Sequence, residues 1–309
     1  MKWLAALLIL FLAPPASAIS VDTAAVGNPG NACETQTQGC FGAVAYTYQI
    51  GRFEVSNAQY AAFLNAVAAT DTNGLYNTSM GGSQITRSGS PGSYTYAAVA
   101  GGENKPITSF SFYDALRFAN WLNNKQPSGA QNASTTEDGA YTFSGPTTVS
   151  ARNAGARFAV PTENEWYKAA YYSGTVYFDY PAGSNTATTC AMPTATPNNA
   201  NCNGANFSNL TDGGSYTGSF SPYGTFDQGG NVWEWNETII GAGRGIRGGA
   251  AHLPGSVMSA STQLNNDPTA EENLVGFRVV PEPGAASQWV AGLAALLALA
   301  RIRRMRASG

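Results

Sequence analysis

Residues 229–237 read GGNVWEWNE, a Gly-Gly-Asn turn that runs into a single glutamate, Glu234, set between Trp233 and Trp235. Of the 309 residues only 11% are charged, against roughly 25% in an ordinary globular chain. A carboxylate in such bulky, apolar company needs a partner, because an isolated buried charge is costly. It is either bound to a metal or paired with a cation, and Arg247 and Arg278 are the arginines that could reach it.

Upstream of this turn, PTENEWYKAAYYSG (161–174) has the signs of a helix. Thr162 is the N-cap, Glu165 completes a capping box, Gly174 closes the far end, and Trp166, Ala169 and Ala170 face inward. Two further helices are predicted. One follows Ser56, with Tyr60, Phe63, Leu64 and Val67 at helical spacing. The other starts at Ser111 with Asp114 as capping partner, and Ala115, Phe118, Ala119 and Leu122 form its stripe. YTYQIGRFEVS (46–56) alternates as a strand does, and LVGFRVV (274–280) reads as a closing strand. The Gly/Ser/Thr-rich stretch 71–104 reads as loop, and 129–153 as loop or short hairpin. The long irregular region 174–230 requires disulfides or metal ions to organise it.

The two ends have a different character. MKWLAALLILFLAPPASA (1–18) has the early lysine, apolar run and Ala-Ser-Ala end of a secretory signal peptide. At the other end VPEPG (280–284) precedes an apolar stretch, 285–300, and the basic cluster RIRRMR (301–306). The basic cluster would hold this end in the cytoplasm while the rest is exported. The order of short motif, apolar helix and basic tail resembles the bacterial PEP-CTERM sorting signal. That resemblance implies processing by an exosortase near Pro281-Glu282-Pro283, with the helix in the membrane beforehand. A plain C-terminal membrane anchor is the alternative. The chain thus divides into a signal peptide (1–18), an N-terminal extension (19–45), one domain (46–280) and a sorting signal (281–309).

Without Lys2 and the four tail arginines, 11 of the 16 Lys and Arg remain against 19 Asp and Glu. No basic run or basic-aromatic stripe remains, which argues against a nucleic-acid partner. The four cysteines, Cys33, Cys40, Cys190 and Cys202, suit disulfides in an oxidising compartment. Three pairings are possible. The local ones, 33–40 and 190–202, each close a small Gly/Asn-rich loop and are favoured over a metal site, since no histidine lies near. The single histidine, His252, rules out a His-rich zinc site and argues against a Ser-His-Asp triad.

Taken in order, IGRFEVSNAQYAAFLN, PITSFSFYDALRFANWLN, RFAVPTENEWYKAAYY, YGTFDQGGNVWEW and RGIRGGA…GFR resemble the formylglycine-generating enzyme (sulfatase-modifying factor) domain from about Tyr46 to Val280. The resemblance implies an α+β fold: a compact, C-type-lectin-like formylglycine-generating-enzyme domain with little regular structure and long loops. It also implies calcium. By position, Asp227 and Glu234 would give side-chain oxygens and Gly230 and Val232 backbone carbonyls, a mixed shell that calcium accepts. Trp233 and Trp235 would pack on either side. A second calcium site maps to Asn206, the carbonyl of Phe207, and Asp212.

The departure from the family lies after RGG. There the enzymes use two cysteines to hold copper(I), since thiolates suit that soft ion. Here the segment is RGGAAHLPGSVMSAS, with Leu253 and Met258 at the two positions and Ala250 in place of the usual serine. Asn273, ahead of GFR, is kept. His252 and Met258 alone would make a weak copper site, so calcium is the expected cofactor and copper is not. The expectation is a calcium-stabilised binding or scaffold module of the cell envelope, with an envelope polysaccharide or protein as ligand. The alternative is a formylglycine-generating oxidase acting on a sulfatase cysteine. A third chemistry on the same scaffold, such as iron-dependent carbon–sulfur bond formation, lacks histidines, and Glu163, Glu165 and Asp267 form no obvious acid pair.

Overall fold

The computed structural model describes residues 18–206 and 209–281. The signal-peptide stretch up to residue 17 and the sorting signal beyond Pro281 lie outside the described residues. Within them, no helix is long and apolar enough to cross a membrane.

Three helices form where the caps and stripes place them. α1 spans Asn57–Val67, α2 Phe112–Asn123 and α3 Glu163–Tyr171. Each begins with a reciprocal capping box: Ser56 with Gln59, Ser111 with Asp114, and Thr162 with Glu165. Such a box satisfies two of the backbone N–H groups that a helix start leaves without partners. The α1 and α2 stripes meet in an aromatic core. Tyr60 stacks on Phe118 at 6.0 Å, Phe63 lies edge-on to Phe118 at 5.4 Å, and Phe277 approaches Phe118 at 5.4 Å.

The main sheet has four strands, β10 Trp233–Ile240, β11 Gly243–Arg247, β12 Leu264–Asn266 and β13 Val275–Gly276, ordered β12-β11-β10-β13. β10 pairs antiparallel with β11 and parallel with β13. The strand pairs around it are short. β1 (Thr23–Val26) pairs with β4 (Tyr48–Gly51), β2 (Glu34–Gln36) with β3 (Gly39–Phe41), and β5 (Ile85–Ser88) with β6 (Thr95–Ala98). β7 (Phe158–Ala159) pairs with β14 (Val280–Pro281), and β8 (Thr189–Cys190) with β9 (Asn199–Ala200). Both local disulfides are formed, Cys33–Cys40 and Cys190–Cys202. The second lies in the otherwise irregular 174–230 region.

Four sequence expectations change. The strand at 46–56 shrinks to β4, because beyond Gly51 the backbone turns to other partners: Val55 N donates to Phe277 O. The closing strand 274–280 is two pieces, β13 and β14, separated where Arg278 turns inward. The 71–104 loop contains the β5–β6 hairpin, anchored on α1 by a two-way bond between the Asn65 amide and the Tyr96 backbone. The stretch 19–45 is built into the fold, since β1 completes β4.

Candidate functional site

Three places on the fold carry the candidate residues. The first is the turn 227–234. Asp227, Gly230 and Asn231 all have left-handed φ, at 59°, 89° and 60°. Only glycine adopts this freely, and at Gly230 a Cβ would meet the Asn201 carbonyl at 2.6 Å. The curl aims side chains inward. Asn231 ties the surrounding loops together: its Oδ1 accepts from Thr211 N at 3.0 Å and Asn201 Nδ2 at 3.1 Å, while its Nδ2 donates to Glu54 Oε1 at 3.3 Å.

Glu234 is fully buried, and its partner is Arg278. Arg278 Nε and Nη2 each donate to one carboxylate oxygen at 2.6 Å, and Trp166 Nε1 adds a third bond at 2.7 Å. Arg247, which faces Glu234 across the strand pair, turns instead to Glu163 at 2.6 Å. Trp233 and Trp235 do not flank Glu234 from two sides: as alternate residues of one strand both are buried in the main core, on the face away from it. Asp227 accepts from Gly214 N at 2.6 Å. Burial pushes its carboxyl up to about 6, against the Gly214 bond, and the Glu234 charge adds to the rise. Glu54, which sequence reading missed, is drawn into the same cluster. Burial, then the charges of Asp227 and Glu234, raise its carboxyl well above the usual range, and its Oε2 has no partner in the protein. Three buried carboxylates thus share one guanidinium, an imbalance that a calcium ion would relieve. Among the described residues no group of three or more His, Cys, Asp or Glu is arranged as a metal cage. An ion here would lean on backbone carbonyls, as calcium permits.

At the second calcium position Asn206 Nδ2 donates to Asn209 O at 3.2 Å, and the Asp212 carbonyl accepts from Ser215. Phe207 lies outside the described residues.

The second place is the segment after Arg247-Gly248-Gly249. Ala250 and Ala251 are buried, His252 is exposed and Leu253 half-buried. Met258 is fully buried in a small cluster with Ala200 and Cys202, and its thioether packs over the Gly229-Gly230 turn. The 200–204 loop is bonded to this segment, Asn203 N to Leu253 O at 2.8 Å and Gly204 N to Ala251 O at 2.9 Å. The chain's four cysteines are all consumed by the two disulfides. No free thiol stands at or near the two positions.

The third place is a groove of about 570 Å³, to which Asn57, Gln84, Lys105, Ser109, Glu272 and Asn273 contribute. Asn273, kept from the family pattern, is the one lining residue that sequence reading singled out.

The profile of the sulfatase-modifying factor enzyme 1-like domain matches residues 36–283. The chain belongs to this family. No curated protein matches it. Among solved structures it is similar to Treponema denticola variable protein 1, at 18% identity over 87% of this chain and 98% of that one, with a TM-score of 0.59. It is also similar to CarF, at 20% identity over 85% of this chain and 99% of that one, with a TM-score of 0.53. These likenesses concern the fold: the sulfatase-modifying-factor domain here is the α+β, lectin-like architecture its motifs implied.

Proposed function

We propose that this sulfatase-modifying-factor-like domain is an exported, surface-sorted binding or scaffold module of the cell envelope, stabilised by calcium and without oxidase chemistry. The observation that supports the reading concerns the two positions that the resemblance gives to thiols: Met258 is sealed in the core, Leu253 offers no donor atom, and every cysteine is in a disulfide. Copper(I) does not fit these residues, because His252 is exposed and the only nearby sulfur that is not bridged is a buried thioether. No step through copper is derived.

Calcium fits better, on the strength of the orphaned Glu54 Oε2 and the excess of buried carboxylate. Asp227, with the carbonyls of Gly230 and Val232, would hold it, and Glu54 adds an oxygen that the family pattern did not suggest; Glu234, which the resemblance also named, has both oxygens engaged by Arg278 and Trp166. The ion's chemistry there is charge compensation. Asn206, Phe207 and Asp212 stand as a second proposed site. The two disulfides suit an oxidising compartment. Export by the 1–18 segment, sorting by an exosortase at 281–283, and an envelope polysaccharide or protein as ligand complete the reading.

The test is an oxidase assay on the full chain, supplied with copper(I), calcium, oxygen and a Cys-x-Pro-x-Arg peptide. Mass spectrometry reads conversion of the cysteine to the aldehyde. No conversion beside an active control is expected. Turnover would overturn the reading and favour the formylglycine-generating alternative.

A further inference from the structure

The binding-module reading leaves open which surface takes a ligand and of what kind. The 570 Å³ groove is within the roughly 300–1,000 Å³ range of small-ligand sites. It opens beside the start of α1, between the α1–α2 connection and the segment leading to β13. Two of its side chains are anomalous. Asn57 is fully buried, and its Nδ2 donates to Gly102 O at 2.8 Å, yet its Oδ1 has no partner in the protein. Ser109 is 1% exposed and its Oγ is likewise unpartnered. Buried polar atoms are nearly always hydrogen-bonded, so two orphans on one groove call for an explanation. The adjacent Gln84 shows how ordinary satisfaction looks here, with both ends of its amide bonded to Thr108 at 2.8 and 3.0 Å.

Ser109 is anomalous a second way. Its φ is 60°, in the left-handed region that favours glycine. The conformation is held from outside, by its own N–H donating to Glu272 O at 2.9 Å. A serine thus stands where glycine would sit without strain, and its hydroxyl serves no protein group. Strain of this kind gathers at ligand sites.

We propose that this groove binds a neutral saccharide, with Asn57 Oδ1 and Ser109 Oγ as its buried anchors. Asn57 Oδ1 only accepts, so it requires a donor, while Ser109 Oγ both donates and accepts. A polyol answers both with one kind of group, because each sugar hydroxyl also donates and accepts. A peptide divides these roles between its N–H, which only donates, and its C=O, which only accepts. Lys105, Glu271 and Glu272 line the same groove, and the extra carboxylate argues against an anionic sugar.

The proposal rests on the binding-module reading, and its test keeps the two apart. The full chain, purified in a mild detergent, is titrated by calorimetry with cellobiose, chitobiose, maltose and mannobiose, and with an acetylated tripeptide amide. At least one disaccharide is expected to bind. Ser109→Gly removes the hydroxyl and relieves the backbone, so it should weaken that binding about tenfold, the loss of one good hydrogen bond, while the melting temperature holds. Silence with all four sugars, binding that Ser109→Gly leaves unchanged, or binding of the tripeptide in their place overturns the assignment. The oxidase assay on the same preparation reports separately on the binding-module reading, since aldehyde formation would refute that reading whatever the sugars do.

Discussion

Glu234 is paired inside the protein, with Arg278 meeting both of its oxygens, each at 2.6 Å. Removing one member of such a pair strands the other, which typically costs about 3–5 kcal/mol. Arg278→Met should therefore destabilise the fold by about that amount in urea unfolding. The double variant Glu234→Leu/Arg278→Met should lose less than Arg278→Met alone, because the carboxylate that Arg278 pairs directly is removed with it. An additive loss would show that the pair is not acting as a unit. Lys168 offers a second residue-level prediction. It lies fully buried on α3, its Nζ donates to Asn28 O at 2.8 Å, and burial lowers its pKa to about 8 from 10.5. Between those two values the unfolded chain holds a proton that the folded one does not, so this group makes stability rise with pH across that window. Lys168→Met should flatten that rise. The difference between the two stability–pH curves is the measurement, because buried tyrosines with raised pKa act in the opposite sense above their ordinary value of 10.0.

At the scale of elements, the three helices rest on their caps and the irregular regions on their bridges. Ser56→Ala removes one side of the α1 box and should cost about 1 kcal/mol, read as a shift of the urea midpoint at constant slope. Replacing Cys190 and Cys202 together by serine should cost about 2–4 kcal/mol. That loss should exceed the one from Cys33 and Cys40, since the 190–202 bridge spans 12 residues against 7 and Cys202 is fully buried. The helices were legible because capping residues and 3.6-residue stripes are local signals. The central strand β10 was not: Trp233, Glu234, Trp235 and Asn236 alternate for only four residues before Glu237 and Thr238 break the pattern, and burying all four leaves no polar face turned to solvent. The β5–β6 hairpin was hidden by its Ser/Thr-rich composition. The site was legible in the same uneven way. That Glu234 needs a partner, calcium or an arginine such as Arg247 or Arg278, could be read from the chain, as could the lack of cysteine after Cys202; which partner it takes could not. Glu54, Asn57 and Ser109 could not, because an unpartnered atom or a left-handed serine exists only once distant segments are folded together.

Over the whole molecule, charge balance is the property calcium would govern. If the ion neutralises the cluster of Glu54, Asp227 and Glu234, chelation with EGTA should lower the melting temperature by roughly 5–10 °C, the effect of a ligand held about a hundredfold above its Kd. Asp227→Asn should shrink that response. A melting temperature indifferent to EGTA in the parent chain would remove calcium from the account. The fold also closes late. β4 near the beginning receives Gly51 N→Val279 O from the end, β10 has β13 as its parallel neighbour, and Glu234 waits for Arg278. A ribosome delivers these partners in order, so the first 270 or so residues emerge before the pieces that lock them exist. A protease acting on the tail therefore has its boundary set by the fold: a cut beyond Pro281 spares the lock, and a cut before Val275 removes it.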